Sequence, residues 1–454
     1  MKLKHVAGSL LIGALSLGVA HADIKIGVVS SSTGPIAMVG IPQKNTVPLL
    51  PTKAGGQTIR YISLDDGSDP TASVVAVKKL ISEEKVDAII GPSGSPNAMG
   101  VIQFVAEAGV PLLAPVGTAA VVLPMNDQKK WVFKTTQNDS LIATALLDHM
   151  AKTGVKTLGF IGTADPYGEN WGKVVADGAA KKGIKIVADE RFQRQDTSVT
   201  AQALKVMAAR PDAVLIAAPG TPAVLPQLAL VDRGYKGKFY QTHGAALPDF
   251  LKLGGKKVEG TILAASLMLV LDQVPDTHPS KKIAKNYVAT YEKAYGAAPA
   301  TFGGNMFDAG LLLERAIPTA LAKGKPGTPE FRSALRDALE QTHEMPATQG
   351  VYTMSAADHS GFDERGRELI TVTILATLQS LPQLRAHVNA ALNVGVEPVE
   401  LREVIYQLAP FLGFPRTLNA IAVLNEVLTQ VDTGWDAATL DQHINTTPGP
   451  APRT

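Results

Sequence analysis

Short β-branched runs alternate with helical segments from residue 24 to residue 242, and this alternation constrains the fold more than any other feature. The run Ile24 to Val29 is the first predicted strand, and 71–84 is the first segment with apolar residues at helical spacing. Strands that alternate with helices form parallel sheets that are covered on both faces. The sequence therefore predicts an α/β fold.

The alternation divides near residues 131–139 into two runs, which predicts two doubly wound lobes. Later helices, predicted at 280–295, 303–322 and 329–340, would complete these lobes. The chain would cross between the lobes near residue 138 and again after about residue 250. Ligands of open parallel sheets bind at the carboxyl ends of the strands, so the loops after the strands are the candidate site.

Two such loops in the first lobe carry groups that suit an anion. Ser95 is predicted to cap a helix, and the free N–H groups of a helix start attract negative charge. The loop 115–118 adds backbone N–H groups and the hydroxyl of Thr118. Together the loops predict a carboxylate clamp without Arg or Lys. The alternative is that Ser95 only caps its helix and Thr118 only sits in a turn.

The first 22 residues have the pattern of a cleaved secretory signal. Lys2 and Lys4 precede an apolar stretch at 6–19, and Ala-His-Ala at 20–22 offers small residues for cleavage. The apolar stretch is shorter than the about 20 residues that span a membrane. The alternative is a retained N-terminal anchor. We expect export to the periplasm and a mature chain that begins at Asp23.

Composition excludes several classes of chemistry. The chain has no Cys, which removes disulfides, thiolate metal sites and cysteine nucleophiles. Its nine His residues lack zinc-site spacing, so we predict no metal site, and no dinucleotide or phosphate-binding fingerprint predicts a cofactor. A formal net charge of +2 gives no electrostatic footprint for nucleic acid.

Several segments resemble the branched-chain amino-acid (Leu/Ile/Val-type) binding proteins of ABC importers. They are Asp-Ile-Lys-Ile-Gly-Val-Val at 23–29, Ser-Thr-Gly-Pro at 32–35, Leu-Asp-Asp-Gly-Ser-Asp-Pro at 64–70, Lys-Leu-Ile-Ser-Glu at 79–83, Val-Asp-Ala-Ile-Ile-Gly-Pro-Ser at 86–93, Asp-Pro-Tyr-Gly-Glu at 165–169 and Gly-Val-Tyr-Thr-Met-Ser at 350–355. The resemblance covers residues 23–366. It implies a bilobal, hinged periplasmic-binding-protein fold that closes on one ligand, with a membrane permease and an ATPase as partners.

The resemblance also assigns roles to individual residues. It implies that Ser95, Gly117 and Thr118 hold the carboxylate of the ligand, that Tyr167 closes on it from the second lobe, and that Phe302 lines the pocket.

One position departs from the amino-acid-binding members, which have an acidic residue after the strand that here ends at Thr242. This chain has His243 there. A buried ammonium without a carboxylate partner is costly, so we expect an aromatic acid or a small dicarboxylate rather than an α-amino acid. Two alternatives remain: His243 only satisfies a loop carbonyl, or Asp165 supplies the missing negative charge.

After residue 367 only helical periodicity continues, at 369–378, 384–393, 399–412 and 417–431. Residues 367–431 resemble part of the carboxymuconolactone decarboxylase family, through Arg-Glu-Leu-Ile-Thr-Val-Thr-Ile-Leu-Ala at 367–376, Leu-Arg-Ala-His-Val-Asn-Ala-Ala-Leu-Asn-Val-Gly at 384–395 and Glu-Leu-Arg-Glu-Val-Ile-Tyr-Gln-Leu-Ala-Pro-Phe-Leu-Gly-Phe-Pro-Arg at 400–416. This predicts a small all-α C-terminal segment fused to the lobes, with a flexible tail at 432–454.

The C-terminal segment raises the question of enzymatic activity. The absence of Cys excludes the thiol peroxidase chemistry of related members. His387 and Glu403 are the candidate acid–base residues, although both suit ordinary helix positions. The leading interpretation is a binding protein without catalysis whose C-terminal helices can self-associate. A decarboxylase-like enzyme is the alternative, and a chemoreceptor-type sensor is the third possibility.

Overall fold

The computed structural model describes residues 23–362, 372–373, 375–393 and 396–430. The predicted signal peptide, the tail 432–454 and the junction at 363–371 lie outside the described residues.

The first lobe contains a six-stranded sheet with the order β2-β3-β1-β4-β5-β6. Its neighbours are parallel except for β2, which runs antiparallel to β3. The strands are β1 Ile24–Ser30, β2 Lys53–Ala54, β3 Gln57–Asp65, β4 Ala88–Ile90, β5 Leu112–Ala114 and β6 Val132–Lys134, and the helices between them are α1 Ala37–Thr46, α2 Pro70–Ser82 and α3 Ser95–Ala108.

The second lobe contains a five-stranded parallel sheet with the order β11-β10-β9-β7-β8. The strands are β7 Thr157–Thr163, β8 Lys185–Phe192, β9 Ala213–Ala217, β10 Lys238–Gln241 and β11 Ile262–Leu263. The helices are α4 Asp139–Lys152, α5 Pro166–Lys181, α6 Thr200–Ala209, α7 Val224–Asp232 and α8 Pro248–Gly254. These two sheets confirm the predicted α/β fold with two parallel, doubly wound lobes.

The first lobe is completed by later parts of the chain. These are α9 Lys281–Tyr295, α10 Thr301–Leu321, α11 Pro329–Glu340 and a hairpin of β12 Met345–Pro346 and β13 Val351–Tyr352. Apolar residues of α10, α11 and the hairpin form one core with the buried face of β1, which includes Ile24, Ile26 and Val28. Burying both faces of a parallel sheet in this way explains why its strands are Ile- and Val-rich.

A buried carboxylate fixes the hairpin to α10. Asp308 accepts hydrogen bonds from the backbone N–H groups of Thr348 at 2.7 Å and Gln349 at 3.0 Å, and from the hydroxyl of Tyr352 at 3.0 Å. Burial raises the pKa of Asp308 to about 6 despite these donors. The segment 345–352 is therefore an integral part of the first lobe.

The chain passes from the first sheet to the second between β6 and α4, and it returns after β11. The lobes also touch each other, because Ile36 and Val39 of the first lobe share a buried cluster with Ala218 and Ala245 of the second. The carboxyl ends of both sheets face the space between the lobes, which is where the site was predicted.

The C-terminal helices are α12 Leu381–Asn393, α13 Pro398–Gln407, α14 Ala409–Leu412 and α15 Phe414–Gln430. They enclose a core of their own, which includes Leu384, Leu401, Ile405 and Leu424. Within 372–430 the described residues form no strand, which confirms the predicted all-α segment. The prediction of a single helix at 399–412 is wrong. α13 ends before Leu408, and α14 follows with Pro410 in its first turn.

None of the helices in the described ranges is long and apolar enough to cross a bilayer.

Candidate ligand-binding cleft

A cleft of about 320 Å³, partly open to solvent, lies between the two lobes at the carboxyl ends of their strands. It is lined by Val39, Ser93, Gly94, Ser95, Pro115, Val116, Gly117, Thr136, Tyr167, Arg194, Pro219, His243, Gly244 and Phe302. Five of the six predicted ligand-binding residues are in this set, and Thr118 is the one that is not.

The start of α3 lies at the first-lobe side of the cleft, but its capping differs from the prediction. Gly94 is the N-cap, with extended backbone angles of φ −102° and ψ 143°, and Ser95 is already the first helical residue. No side-chain hydrogen bond caps this helix, so the hydroxyl of Ser95 is not used as a cap. It lines the cleft beside the N–H groups of the first turn, where negative charge is favoured.

The loop 115–118 of the first lobe is held in place by a buried ammonium group. Lys134, at the end of β6, is fully buried, and its Nζ donates to the carbonyls of Val116 and Gly117 at 2.8 Å each. It also donates to the carbonyl of Thr136 at 2.9 Å. Because a trans peptide points its C=O and N–H in opposite directions, the N–H groups of Gly117 and Thr118 face away from the ammonium.

The hydroxyl of Thr118 does not reach the cleft. It accepts the backbone N–H of Ala120 at 3.2 Å and so caps the short 3₁₀ helix Ala119–Val121. This matches the turn alternative for the side chain of Thr118. Thr136, which the sequence analysis missed, lines the cleft instead, and its buried hydroxyl has no hydrogen-bond partner among the described residues.

Tyr167 lines the second-lobe side of the cleft near the start of α5. Its hydroxyl lies 2.8 Å from the Thr242 hydroxyl, and its ring meets the His243 ring edge-on with centroids 6.2 Å apart. Burial raises the pKa of Tyr167 well above its usual value, so the phenol stays neutral. Phe302, in the first turn of α10, adds a second aromatic ring to the lining.

His243 is buried in the short 3₁₀ helix His243–Ala245, and its ring reaches across the cleft to the first lobe. A Cβ built on Gly117 would meet His243 Nε2 at 2.8 Å. Nδ1 is buried without a hydrogen-bond partner among the described residues, which argues against the alternative that this nitrogen satisfies a loop carbonyl. Burial, and next the charge of Lys134, lower the pKa of His243 to about 3, so the ring is uncharged at neutral pH.

Both oxygens of Asp165 already have hydrogen-bond partners, and Asp165 does not line the cleft. Its Oδ1 accepts the backbone N–H groups of Tyr167 at 2.8 Å and Gly168 at 3.3 Å, which caps α5. Its Oδ2 accepts Nε of Arg194 at 2.5 Å. The alternative that Asp165 supplies the missing negative charge is therefore not supported by the geometry.

A second carboxylate, Asp139 at the start of α4, lies behind Gly117 and outside the lining of the cleft. Its Oδ2 accepts the side-chain amide of Asn170 at 2.6 Å, while Oδ1 is buried without a hydrogen-bond partner among the described residues. Burial raises the pKa of Asp139 to about 7, although the positive charge of Lys134 opposes this shift.

The C-terminal candidates lie on different helices. His387 is half-buried on α12, and Glu403 is exposed on α13, where it accepts the side-chain amide of Gln407 at 2.6 Å. This exposure agrees with the alternative that Glu403 is an ordinary solvated helix residue. The described residues contain no group of three or more His, Asp or Glu side chains that would hold a metal ion.

Comparison with known proteins identifies two families along the chain. Residues 23–364 match the family described as periplasmic binding protein. Residues 345–426 match the carboxymuconolactone decarboxylase family, so the two matches overlap at 345–364. The overlap includes the hairpin of β12 and β13, which packs into the core of the first lobe.

Solved structures and curated relatives agree with the first match. An extracellular ligand-binding receptor from Rhodopseudomonas palustris HaA2 is 46% identical, with 76% of this chain and 95% of that one covered and a TM-score of 0.74. The Leu/Ile/Val-binding protein BraC3 of Rhizobium johnstonii is 23% identical over 78% of this chain and 93% of its own length. A solute-binding protein of an R. palustris ABC transporter, solved in complex with benzoate, shares the fold at 22% identity over 75% of this chain and 91% of that one, with a TM-score of 0.63.

Proposed function

The chain belongs to the periplasmic binding protein family, and from this premise we propose that it delivers a small carboxylated ligand to an ABC importer of the branched-chain-amino-acid type. The ligand is an aromatic acid or a small dicarboxylate rather than an α-amino acid. It is captured when the two lobes close on it.

The observation that carries this proposal is the uncharged His243 against Gly117, at the position where amino-acid binders have an acid. An α-amino acid would bring an ammonium into the cleft, and no lining residue is acidic. Leaving a charge buried without a partner costs several kcal/mol, about the whole binding energy of a micromolar ligand. An acid without an ammonium avoids this cost.

The proposed carboxylate clamp comes from the first lobe. Its donors are the Ser95 hydroxyl, the N–H groups at the start of α3 and the N–H groups of Gly117 and Thr118. The ammonium of Lys134 lies behind the loop that carries the last two. Its positive charge stabilises an anion on the far side of the loop without a direct contact.

The apolar part of the lining suits an aromatic ring. Phe302 and Tyr167 offer aromatic surfaces, and Val39 and Val116 add aliphatic ones. Small-molecule sites are lined mainly by apolar and aromatic side chains with a few polar groups, and this lining suits a ligand with one ring. Benzoate, bound in the R. palustris relative of the same fold, has one ring and one carboxylate.

The proposal places the mature chain, from Asp23 onward, in the periplasm after removal of a signal peptide at 1–22. A permease and an ATPase of the inner membrane are its expected partners.

The test is isothermal titration of the mature protein with benzoate, 4-hydroxybenzoate, succinate and leucine. We expect at least one of the three acids to bind with a dissociation constant below about 10 μM, and leucine to give no heat. Binding of leucine with equal or higher affinity would contradict the ligand class and leave the family unaffected. Buried Trp171 contacts the His243 ring, with centroids 5.9 Å apart, so its fluorescence offers a second readout.

We also propose that the C-terminal helices join two copies of the chain. Phe411 is 85% exposed and Phe414 77% exposed on either side of the turn between α14 and α15. Leu418 is exposed one turn further along α15. Leu378 is exposed next to Gln379, whose side chain bonds to Arg416 and Asn419. These four residues are the C-terminal apolar patch, and burying them in a second copy would remove unfavourable hydration.

Light scattering after size-exclusion chromatography tests the C-terminal apolar patch. We expect the mature chain to be an oligomer and the double variant Phe411→Ser, Phe414→Ser to be a monomer. The matched control is Leu204→Ser, which removes an exposed leucine from α6 in the second lobe. A monomeric parent, or an unchanged mass in the double variant, would contradict this use of the patch.

A further inference from the structure

Arg194 lines the cleft from the second lobe, in the loop that follows β8. Its Nε is bound to Asp165 at 2.5 Å, whereas its Nη2 is buried and has no hydrogen-bond partner among the described residues. A buried guanidinium N–H without an acceptor carries a desolvation cost, and the group is built to pair with a carboxylate or another oxygen. This unused donor therefore indicates an acceptor on the ligand.

The surroundings fix the direction of the guanidinium. Asp165 uses Oδ1 to cap α5, so only Oδ2 is available, and Arg194 meets it through Nε rather than through two parallel bonds. The side chain of Arg194 is 11% exposed, which leaves it little freedom to turn toward solvent. Asp165 thus orients Arg194 and leaves Nη2 without an acceptor in the described part of the chain.

The charges in the lining of the cleft also indicate that Arg194 pairs with an anionic group of the ligand. Of the described residues that line the cleft, Arg194 has the sole formal charge at neutral pH, because the pKa of His243 is lowered and that of Tyr167 is raised. Arg194 also lies at the start of α5, through its bond to the N-cap Asp165, where the helix dipole is positive. Asp165 balances part of this charge but does not line the cleft, so the group that this ion pair presents to the cleft is the guanidinium, separate from the clamp at Ser95 and Gly117.

We propose that Arg194 binds a second carboxylate at the other end of the ligand, so that the preferred ligand is a dicarboxylic acid with a one-ring core. The first-lobe clamp then holds one carboxylate, and Nη2 of Arg194 holds the other when the lobes are closed. This inference rests on the proposed function, since it assumes a carboxylated ligand in this cleft. It assigns to Arg194 the discrimination between dicarboxylates and monocarboxylates.

The test compares benzoate with terephthalate (1,4-benzenedicarboxylate) by titration calorimetry on the mature protein. We expect the parent protein to bind terephthalate at least about tenfold more tightly than benzoate. In Arg194→Gln, terephthalate should weaken by about 10- to 100-fold while benzoate stays within about threefold. Arg194→Lys keeps the positive charge and should preserve a smaller preference for terephthalate, which provides a second variant if the Gln variant unfolds.

Arg191→Gln is the matched control, because Arg191 lies three residues earlier, pairs with Glu169 and Asp189, and does not line the cleft. We expect it to leave the preference for terephthalate unchanged. Equal weakening of both acids in Arg194→Gln would overturn the inference, since Arg194 would then bind the same carboxylate as the clamp. A parent protein that binds benzoate as well as terephthalate would also overturn it while keeping the proposed function. Failure of every acid to bind would overturn both.

Discussion

His243 of the second lobe lies directly against Gly117 of the first, and a Cβ on Gly117 would stand 2.8 Å from His243 Nε2. The same Cβ would stand 2.9 Å from Oδ1 of Asp139. Real Cβ atoms do not approach other atoms so closely, so a side chain at residue 117 would displace the His243 ring, the Asp139 carboxylate or both. The contact joins the loop 115–118, which is proposed to hold the ligand carboxylate, to His243, which stands where amino-acid-binding members have an acidic residue.

Gly117→Ala should therefore keep the lobes from closing fully. We expect the ligand affinity to fall by about tenfold or more, with a melting temperature of the free protein close to that of the parent. Calorimetry with the ligand found in the acid panel measures the affinity, and small-angle X-ray scattering measures the closure. Gly100→Ala on α3 is the control, since a Cβ there meets nothing closer than 3.8 Å. Full affinity in Gly117→Ala would show that the contact does not govern closure.

His243→Asp should exchange the ligand class. An aspartate at 243 would repel a carboxylate near Gly117 and offer a partner to an ammonium. We expect the affinity for the acid to fall by about tenfold or more and binding of leucine to appear in the same titration. The control is His343→Asp, at an exposed position outside the lining of the cleft. A variant that keeps its acid affinity would place the ligand away from His243.

Asp139 and His243 should give the stability opposite dependences on pH. The folded-state pKa of Asp139 is about 7, above its ordinary 3.8, so the folded protein holds the extra proton between these values. The free energy of unfolding then falls as pH rises from about 4 to 7. The folded-state pKa of His243 is about 3, below its ordinary 6.5, so the unfolded chain holds the extra proton there. The free energy of unfolding then rises with pH from about 3 to 6.5.

Between pH 4 and 6.5 these two contributions offset each other, and each amounts to at most about 1.4 kcal/mol per pH unit. Buried Asp308, with a pKa raised to about 6, titrates in the same window in all variants, so the slopes are compared with that of the parent. Relative to the parent, the stability of Asp139→Asn should change more positively with pH in this window, and that of His243→Gln more negatively. Urea unfolding at pH 4.5, 5.5 and 6.5 measures both slopes. Slopes that shift from the parent in the same direction in the two variants would mean that one of these groups does not titrate as its burial indicates.

Much of the fold could be predicted from the sequence, because buried parallel strands and amphipathic helices leave strong periodic patterns. The periodicity predicts a helix at 139–152, a strand at 213–217 and a helix at 329–340, and α4, β9 and α11 have these bounds. The apolar pattern predicts a strand only at 185–188, whereas β8 continues to Phe192. This strand lies at the edge of its sheet and contains Asp189, Glu190 and Arg191, which break the apolar pattern.

Arg194 was not among the predicted site residues, because it follows a strand end of mixed charge and no motif marks it as a ligand contact. Lys134 was missed for another reason, because a lone lysine at a strand end gives no hint that four backbone carbonyls surround it. The capping error at Ser95 is a shift of one residue, and only the extended backbone of Gly94 reveals it. Contacts between distant segments, such as Asp165 with Arg194, leave no periodic signal in the sequence.

Lys134→Met should be one of the most damaging single substitutions in the first lobe. Methionine fills a similar volume but leaves the carbonyls of Val116, Gly117 and Thr136 buried without their donor. We expect the free energy of unfolding to fall by about 3 kcal/mol or more, because each unsatisfied buried acceptor costs about 1–3 kcal/mol. The ligand affinity should fall as well, since the ammonium orients the N–H groups of the clamp.

Urea unfolding of the ligand-free protein measures this loss, and Lys130→Met is the matched control. Lys130 is four residues earlier and forms an exposed pair with Asp127 at 3.1 Å. Such surface pairs contribute little, so the control should stay within about 0.5 kcal/mol of the parent. If Lys134→Met were as stable as the control, the carbonyls would have found other donors, and the loop at 115–118 would not depend on the ammonium for its shape.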